Sequence, residues 1–567
     1  MMFSRVYRLV IPIAAIALCA TSAFAQLPNC TTSFLSGIAP SGMTFTSATV
    51  VAAANGNPEY CDVKGSVTTN GDGAGPNTAG YEIKLPADWN GKFVFWGVGG
   101  LAGSLNPSAN AVDLSEALVK GYATAVTDTG HISTSGFDGT WALIAPGQRN
   151  VAKVVDYYYR STHDVTVAAK QLIQTYYSSE ILRSYFDGCS YGGHMGMMEA
   201  MRYPDDYDGI ISGDPYLDNR TQLWGYKNAK AFIDNYIPPS LLPVINAAVE
   251  KNCDARDGVK DGLIQDPLKC SFDPDTLVCG RRGNTPPNCL TQGQADALKI
   301  YFGPVTETDG DLVFPGSSVS DLSAMGGFDV WAETTQPTDP NGANPWGNSF
   351  SPILWGAAQG FINYFVEENP NFNLNLDWPE INGVITDQAL ALFDEGTGIG
   401  NADQPDRLAQ YLGEGKKLII YHGLSDPAIS PFRTIEFYEG LARETSGYEE
   451  LQEQVRLFLE PGMLHCGGGV GPNTFDTLTA LDNWVEDDVA PNAITATLYK
   501  NNVVSDGVER TMPLCMFPEE ARYDHHGGVD DAANWVCPEN DRTLLELGLD
   551  GRRYSGLKET MEHGHGD

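Results

Sequence analysis

The stretch Gly188-Cys189-Ser190-Tyr191-Gly192-Gly193 decides the fold of this chain, because it fits the pattern G-x-S-x-G. A strand-like run, 184–186, precedes it, and a helix-like run, 195–201, follows it. Glycines permit the tight turn between strand and helix that lifts the serine above a sheet. This context predicts that Ser190 is a nucleophile and that the backbone N–H of Tyr191 faces a developing oxyanion. The alternative is a plain glycine turn.

Strand-like and helix-like segments alternate on both sides of this turn. Residues 79–85 and 92–96 suggest a hairpin that leads into a buried strand, and residues 151–177 have apolar side chains at helical spacing. Further strands are expected at 416–421 and 455–459. Such alternation predicts an α/β fold with a mostly parallel sheet.

A serine nucleophile needs a base and an orienting acid, which in this kind of fold follow it in the order Asp or Glu, then His. Asp426 and His465 each come just after a predicted strand, where a parallel sheet presents its functional edge. We therefore predict that His465 is the base and Asp426 the acid. His422 is the competing base, although it precedes Asp426 and follows its strand too closely. The pair His525-His526 is expected in a solvated loop, with a metal pair as the alternative.

The composition excludes several classes of function. The chain has 567 residues, with 35 Lys and Arg against 72 Asp and Glu, so its net charge is −37. Nucleic acids and anionic membranes would be repelled by this charge, and neither is an expected partner. After residue 25 no apolar run reaches the about 18 residues of a membrane-spanning helix. The sequence does not specify an oligomeric state.

Residues 1–25 have the three parts of an export signal. Arg5 and Arg8 form a basic start, residues 9–20 are apolar, and Ala23-Phe24-Ala25 fits an A-x-A cleavage site. We predict a signal peptide and a secreted or periplasmic protein. The alternatives are a buried N-terminal helix and a lipoprotein anchor at Cys19.

The cysteines agree with export. Without Cys19, ten of the 11 cysteines remain, and an even number in an exported chain predicts disulfides. The pairing does not follow from the sequence alone. Zinc is the alternative, but the chain has no C-x-x-C pair.

The middle of the chain differs from its two flanks. Residues 300–406 contain no Lys, Arg or His, but they are rich in Trp, Phe, Asn, Pro and Gly. They lie between two groups of α/β signals, which predicts an insertion. We place a catalytic domain at 26–225 and 405–567 and an inserted domain at 226–404.

An acidic loop begins near the start of this insertion. Asp254, Asp257 and Asp261 are interleaved with glycines, and such hard oxygen ligands suit Ca²⁺. The spacing is not that of an EF-hand, since the first gap is three residues and no Glu closes the loop. The alternative is a solvated acidic turn.

The motifs together resemble the tannase and feruloyl esterase family, which includes tannases, feruloyl esterases and a hydrolase of mono(2-hydroxyethyl) terephthalate. The resemblance covers most of the mature chain and is most specific in Cys189-Ser190, Asp426 and His465-Cys466. It implies an α/β-hydrolase core with an inserted lid that carries a calcium site. It also implies carboxylic ester hydrolysis through an acyl-enzyme. Further family-like segments are Asp128-Thr129-Gly130-His131, 199–204, Tyr421-His422-Gly423, 513–515 and 530–533.

The resemblance also assigns individual residues. It implies Gly100 as the second oxyanion donor beside Tyr191, with Gly99 as the close alternative. It adds the carbonyls of Val259 and Leu263 to the three aspartates as ligands of a structural Ca²⁺. With local spacing, it implies the disulfides Cys189–Cys466, Cys30–Cys61, Cys253–Cys270, Cys279–Cys289 and Cys515–Cys537.

One departure from the family concerns the pocket beside the nucleophile, where Tyr191-Gly192-Gly193-His194 replaces the more usual Thr-Gly-Gly-Arg. The expected substrate is a small aromatic ester with a neutral phenolic acyl group, such as a hydroxycinnamate or a gallate. A terephthalate monoester would need a cation for its free carboxylate. Only Arg220, Arg256, Arg281 or Arg282 could reach in. The remaining alternatives are an inactive binding protein with the same fold and a peptidase.

Overall fold

A computed structural model describes residues 27–538, except for residues 55, 134, 348 and 349 and the side chains of Arg256 and Asp257. The predicted signal segment 1–25 lies outside the described residues. Within them, no helix combines the length and the apolar character that a membrane crossing requires.

The centre of the fold is a sheet of nine strands. Its strands are β1 Met43–Val51, β2 Tyr60–Thr69, β3 Asn77–Pro86, β4 Lys92–Trp96, β5 Ala123–Thr127, β6 Arg183–Cys189, β7 Gly209–Gly213, β8 Lys417–Gly423 and β9 Val455–Glu460. The spatial order is β1-β2-β3-β5-β4-β6-β7-β8-β9. From β5 to β9 all neighbours are parallel, and β1, β2 and β3 add an antiparallel edge. The prediction of a mostly parallel α/β sheet is confirmed.

The predicted hairpin between residues 79–85 and 92–96 is wrong. Both segments are strands, but β5 lies between them and pairs with each, antiparallel to β3 and parallel to β4. The chain therefore reverses direction between β3 and β4 but leaves one strand position between them, which β5 fills after a crossover from β4. The turn residues 88–91 are compatible with either arrangement, because the strand that separates β3 from β4 lies later in the chain.

Helices cover the two faces of the sheet and fill the insertion. They are Thr32–Gly37, Ala111–Glu116, Val151–Val155, Ser161–Tyr177, Tyr191–Arg202, Thr221–Ala231, Leu242–Cys253, Gln292–Phe302, Phe328–Trp331, Ile353–Phe361, Leu374–Asp377, Asp387–Thr397, Ala409–Gly413, Pro431–Glu444, Tyr448–Leu451 and Thr477–Asp487. Two π-helical turns, Asp156–Arg160 and Ile362–Val366, interrupt or extend helices. The helices bury apolar faces on β4 to β9, whose own side chains are nearly all buried.

Between β7 and β8 the chain leaves the large sheet for about 200 residues and forms a small four-stranded sheet within 305–385. Its strands are Val305–Glu307, Leu312–Phe314, Glu380–Ile381 and Val384–Ile385. The helix Thr221–Ala231 crosses the predicted boundary at 225–226. Two antiparallel pairs of strands follow β9: Ala493–Tyr499 with Val508–Cys515, and Arg522–Tyr523 with Trp535–Val536. A third antiparallel pair, Leu143–Ala145 with Gln148–Arg149, lies between β5 and β6.

All ten cysteines among the described residues form disulfides, which leaves no thiolate for the alternative zinc site. The pairs are Cys30–Cys61, Cys189–Cys466, Cys253–Cys270, Cys279–Cys289 and Cys515–Cys537, as the resemblance implied. Cys189–Cys466 closes a loop of 277 residues and joins the end of β6 to the turn after β9.

Removal of Cys189–Cys466 should destabilise the protein more than removal of a short-range disulfide. The chain-entropy model gives about 5 kcal/mol for the long loop and about 3 kcal/mol for the loop of Cys279–Cys289. We expect Cys189→Ala with Cys466→Ala to lower the denaturant midpoint and the rate of any ester hydrolysis. The control, Cys279→Ala with Cys289→Ala, should lower both quantities by less. Equal losses in the two variants would contradict this role, as would a free thiol at Cys189 or Cys466 in the purified wild-type protein.

Candidate active site

Ser190 lies in the turn between β6 and the helix Tyr191–Arg202. Its backbone has φ 66° and ψ −126°, a region that L-residues rarely adopt and that is characteristic of a nucleophile elbow. The turn is closely packed: a Cβ on Gly188 would lie 2.5 Å from the carbonyl carbon of Gly192. Glycine at these positions therefore allows the turn to close and exposes the serine at the carboxyl end of β6.

The structure brings the three predicted members of the triad together. His465 Nε2 lies 2.9 Å from Ser190 Oγ, and His465 Nδ1 lies 2.7 Å from Asp426 Oδ2. Asp426 follows β8 and His465 follows β9, so both reach the same edge of the sheet as Ser190. This geometry allows His465 to accept the serine proton while Asp426 holds the ring in one orientation.

The charges of the pair suit these roles. Burial alone would raise the pKa of Asp426, but the charge of His465 and hydrogen bonds from His422 and His465 lower it far below the usual range. Burial would lower the pKa of His465, but the neighbouring Asp426 carboxylate raises it above 6.5. Asp426 is therefore an anion at neutral pH, and the imidazolium that forms during proton transfer is stabilised.

His422, the competing base, supports the acid instead of contacting the serine. Its Nε2 lies 3.3 Å from Asp426 Oδ2, and its Nδ1 lies 2.8 Å from the hydroxyl of Thr434. The ring is fully buried. His422 thus belongs to the surroundings of Asp426.

Asp214 is a site residue that the sequence analysis missed. It follows β7 at the same edge, is fully buried, and has its carboxylate oxygens near both His422 and His465. It accepts hydrogen bonds from the N–H groups of Gly423 and Cys466 and so ties the acid loop to the base loop. Burial raises its pKa. Its position after a strand, like that of Asp426, is the sequence signal that could have identified it.

The two residues predicted to hold the oxyanion both line the cavity beside Ser190. Tyr191 is the first residue of its helix, so its N–H has no carbonyl partner within that helix. Gly100 has φ +63° and lies after β4. Gly99, the alternative donor, also lines the cavity.

Tyr157 connects these two halves. Its hydroxyl donates to the carbonyl of Gly100 at 3.2 Å, and its own carbonyl accepts from the hydroxyl of Tyr191 at 2.5 Å. The rings of Tyr157 and Tyr191 stack at 4.2 Å, and the ring of His194 stacks on the other face of Tyr191 at 4.8 Å. Tyr191 and His194, which are predicted to depart from the family pattern, therefore form a buried aromatic stack with Tyr157. Tyr157 lies in the π-helical turn and had no signal in the sequence.

The cavity above Ser190 has a volume of about 270 Å³ and a mainly apolar wall. Its large apolar side chains come from the loop after β4, from residues 137–157, from the inserted segment and from the loop after β8, namely Leu101, Phe137, Tyr157, Trp331, Leu354 and Ile429. No Lys, Arg, Asp or Glu among the described residues lines it. The size and the aromatic character of the cavity suit one substituted aromatic ring.

Three of the four arginines that could have reached the cavity do not line it. Arg220 is paired with Asp394 at 2.6 Å, and Arg281 is paired with Asp275 at 3.0 Å. Arg282 does not line the cavity. The side chain of Arg256 lies outside the described residues.

The acidic loop has donors that fit a calcium ion. Asp254 and Asp261 approach each other, since Asp254 Oδ1 accepts from the N–H groups of Asp261 and Gly262 at 3.1 and 3.2 Å. Burial, and then the charge of Asp261, raise the pKa of Asp254. Asp261 also binds Arg510 at 2.8 Å. The carboxylate of Asp257 lies outside the described side chains.

The histidine pair His525-His526 is in an exposed loop, as expected. His526 Nδ1 lies 2.9 Å from the carbonyl of Asp524, and the side chain of His526 is 86% exposed. Among the described residues, neither histidine belongs to a cluster of three or more potential metal ligands.

Comparisons with known proteins agree with this geometry. The family model described as "Tannase and feruloyl esterase" matches residues 61–538. A mono(2-hydroxyethyl) terephthalate hydrolase of Piscinibacter sakaiensis is 31% identical over 555 residues, 86% of each chain. A probable feruloyl esterase of Arthroderma benhamiae is 32% identical over 475 residues, 81% of this chain and 82% of that one.

The fold is also that of a solved relative. The crystal structure of feruloyl esterase B from Aspergillus oryzae superposes with a TM-score of 0.74 at 24% identity, covering 90% of this chain and 100% of that one. The family match spans most of the chain, and two relatives exceed 30% identity over four fifths of it or more. The chain therefore belongs to the tannase and feruloyl esterase family.

Proposed function

We propose that this carboxylic ester hydrolase acts on small esters of neutral, phenolic aromatic acids, such as hydroxycinnamates or gallates, through an acyl-enzyme on Ser190. The observation that carries the proposal is the hydrogen-bonded triad Ser190–His465–Asp426 beside an aromatic cavity. Ser190 and His465 line this cavity, and no Lys, Arg, Asp or Glu among the described residues does. The names of the relatives, feruloyl esterase and terephthalate monoester hydrolase, support an aromatic acyl group.

Acylation begins with proton transfer from Ser190 Oγ to His465 Nε2, across the 2.9 Å hydrogen bond. Ser190 Oγ attacks the ester carbonyl carbon, and the N–H groups of Tyr191 and Gly100 stabilise the negative oxygen of the tetrahedral intermediate. His465 then protonates the leaving alcohol, which departs and leaves the acyl group on Ser190.

Deacylation repeats these steps with water. His465 removes a proton from the water, which attacks the acyl carbon, and then returns that proton to Ser190 Oγ as the acid is released. Asp426 stays ionised throughout, because its low pKa keeps it an anion beside the imidazolium. Tyr157 and Asp214 act through backbone groups: Tyr157 orients the oxyanion loop, and Asp214 fixes the acid and base loops.

A terephthalate monoester is the alternative substrate, supported by the relative that bears that name. Its free carboxylate would have to be buried against an apolar wall, where it has no cationic partner among the described cavity residues. A neutral phenolic ring loses little solvation on entering the same cavity and contacts Phe137 and Trp331 favourably.

Two further proposals concern the role of the segment 226–404 and the cellular location of the protein. We propose that this segment is a lid and that Asp254, Asp257, Asp261 and the carbonyls of Val259 and Leu263 hold a structural Ca²⁺. Burial, and then the charge of Asp261, raise the pKa of Asp254, and this supports the proposal because a bound cation would stabilise the Asp254 carboxylate. Five disulfides support a secreted or periplasmic location after cleavage near Ala25.

The proposed function is tested with purified protein on methyl ferulate and methyl gallate, with product detection. We expect hydrolysis of at least one ester and its near-complete loss in Ser190→Ala with an unchanged fold, because the acyl-enzyme cannot form. The matching anilides should react far more slowly, which separates an esterase from a peptidase. Wild-type turnover in Ser190→Ala would contradict the mechanism, and a folded wild-type protein that hydrolyses neither ester would favour a binding protein.

The charge of the acyl group should decide between substrates. We expect kcat/KM for methyl ferulate or methyl gallate to exceed that for the terephthalate monoester at least tenfold, about 1.4 kcal/mol in transition-state binding. The acidic protein repels the free carboxylate, so the difference should narrow as salt screens exposed charges. A preference for the terephthalate monoester would overturn the substrate proposal and leave the catalytic residues unchanged.

A further inference from the structure

The segment Asp128-Thr129-Gly130-His131 follows β5 directly and forms a sharp buried turn. Thr129 has φ 63° and Gly130 has φ 82°, and a positive φ is strained for a β-branched residue such as threonine. The Asp128 carboxylate holds the turn, because its Oδ1 accepts from the N–H groups of Gly80 at 2.8 Å and Gly130 at 2.9 Å. The turn places the ring of His131 in the interior, where this residue is 4% exposed.

The ring of His131 faces a backbone carbonyl with each of its nitrogen atoms. Nε2 lies 2.9 Å from the carbonyl oxygen of Leu101, and Nδ1 lies 3.3 Å from that of Thr129. Burial lowers the pKa of His131 to about 4, so the ring is neutral at physiological pH and has a single N–H. The shorter contact assigns that N–H to Nε2. Trp141 stacks on the ring at 3.7 Å and holds its orientation.

Leu101 belongs to the turn that carries Gly100, the proposed second oxyanion donor. The N–H of Ala102 donates to the carbonyl of Gly99 at 3.1 Å, which makes these four residues a β-turn with Gly100 and Leu101 at its centre. The N–H of Leu101 donates to the carbonyl of Gly136 at 2.7 Å. Because so short a turn has few free dihedral angles, the direction of the Gly100 N–H depends on how the rest of the turn is held.

Two side chains hold the carbonyl groups at the centre of this turn. The hydroxyl of Tyr157 donates to the carbonyl of Gly100 at 3.2 Å, and the Nε2–H of His131 donates to that of Leu101 at 2.9 Å. Leu101 is 4% exposed, so its carbonyl has little access to water as a substitute partner. A buried carbonyl without a donor is unfavourable, and its peptide would rotate toward another partner. Such a rotation would also move Gly100, the preceding residue.

We propose that His131 is a positioning residue for the oxyanion hole: its Nε2–H holds the Leu101 carbonyl and thereby fixes the direction of the Gly100 N–H. This inference rests on the proposed function, in which that N–H stabilises the tetrahedral intermediate. It extends the function to a residue that does not itself line the cavity. Small displacements of such a donor matter, since a misplacement of about 1 Å can cost about 100-fold in rate.

The test compares two substitutions of His131. His131→Gln keeps an N–H donor near the position of Nε2, and His131→Met has a similar length but no donor. We expect His131→Met to lower kcat for methyl ferulate or methyl gallate by about tenfold to hundredfold and to leave KM within about threefold of wild type, because the oxyanion forms only after binding. His131→Gln should recover most of the lost kcat. The control His526→Met, in an exposed loop, should hydrolyse at the wild-type rate.

The kinetic results can contradict the inference in two ways. Equal losses of kcat in His131→Gln and His131→Met would show that the ring acts by its shape and not by its N–H. An unchanged kcat in His131→Met, or a rise in KM alone, would show that the oxyanion hole does not depend on this hydrogen bond.

Phosphonylation of Ser190 by a fluorophosphonate provides a readout that needs no ester substrate. Its P=O oxygen also occupies the oxyanion hole, so labelling should slow in His131→Met by a similar factor and recover in His131→Gln. Equal labelling rates in wild type and His131→Met would overturn the inference and leave the esterase mechanism unchanged. Labelling of wild-type protein that hydrolyses no aromatic ester would overturn the proposed substrate class and leave this comparison intact.

A measurement on wild-type protein applies even if His131→Met does not fold. Histidine is labelled selectively with ¹⁵N, and the His131 ring signals are identified as those absent from His131→Gln. We expect a neutral ring with its proton on Nε2 at pH 7. A proton on Nδ1 alone would leave the Leu101 carbonyl without its donor and would overturn the inference.

Discussion

The hydrogen bond between Ser190 Oγ and His465 Nε2 is the constraint on which the rest of the structure depends. It joins atoms of residues that are 275 positions apart, so several elements must hold them at 2.9 Å. Strands β6, β8 and β9 bring the three residues to one edge of the sheet. The Cys189–Cys466 disulfide then links the residue before the nucleophile to the residue after the base, and Asp214 binds the amides of Gly423 and Cys466.

A second set of contacts shapes the space in which the reaction takes place. Tyr157 holds Gly100 and Tyr191, the two residues proposed to stabilise the oxyanion, from one π-helical turn. The inserted segment adds Trp331 and Leu354 to the cavity wall, and none of its described residues adds a cation there. The proposed selectivity for neutral aromatic esters and catalysis at Ser190 thus have separate structural origins, and one could change without the other.

Much of this arrangement could be predicted because it depends on local pattern or chain order. The turn at Ser190, the positions of Asp426 and His465 after strands, and all five disulfide pairs were accessible from motifs and resemblance. Features that depend on residues far apart in the sequence could not be predicted. The insertion of β5 between β3 and β4 refutes the predicted hairpin, and Asp214 and Tyr157 acquire their hydrogen bonds only when remote segments pack together. The position of Asp214 after a strand is visible in the sequence, but its contacts with Gly423 and Cys466 are not.

The most direct measurement for the central claim is covalent trapping of the nucleophile. The purified protein is treated with a fluorophosphonate ester, digested, and mapped by mass spectrometry with Ser190→Ala and His465→Ala as controls. We predict one adduct per chain, on the peptide that contains Ser190, with none in Ser190→Ala and much slower labelling in His465→Ala. An adduct on a different residue, or an unlabelled Ser190 in protein that still hydrolyses esters, would contradict the account.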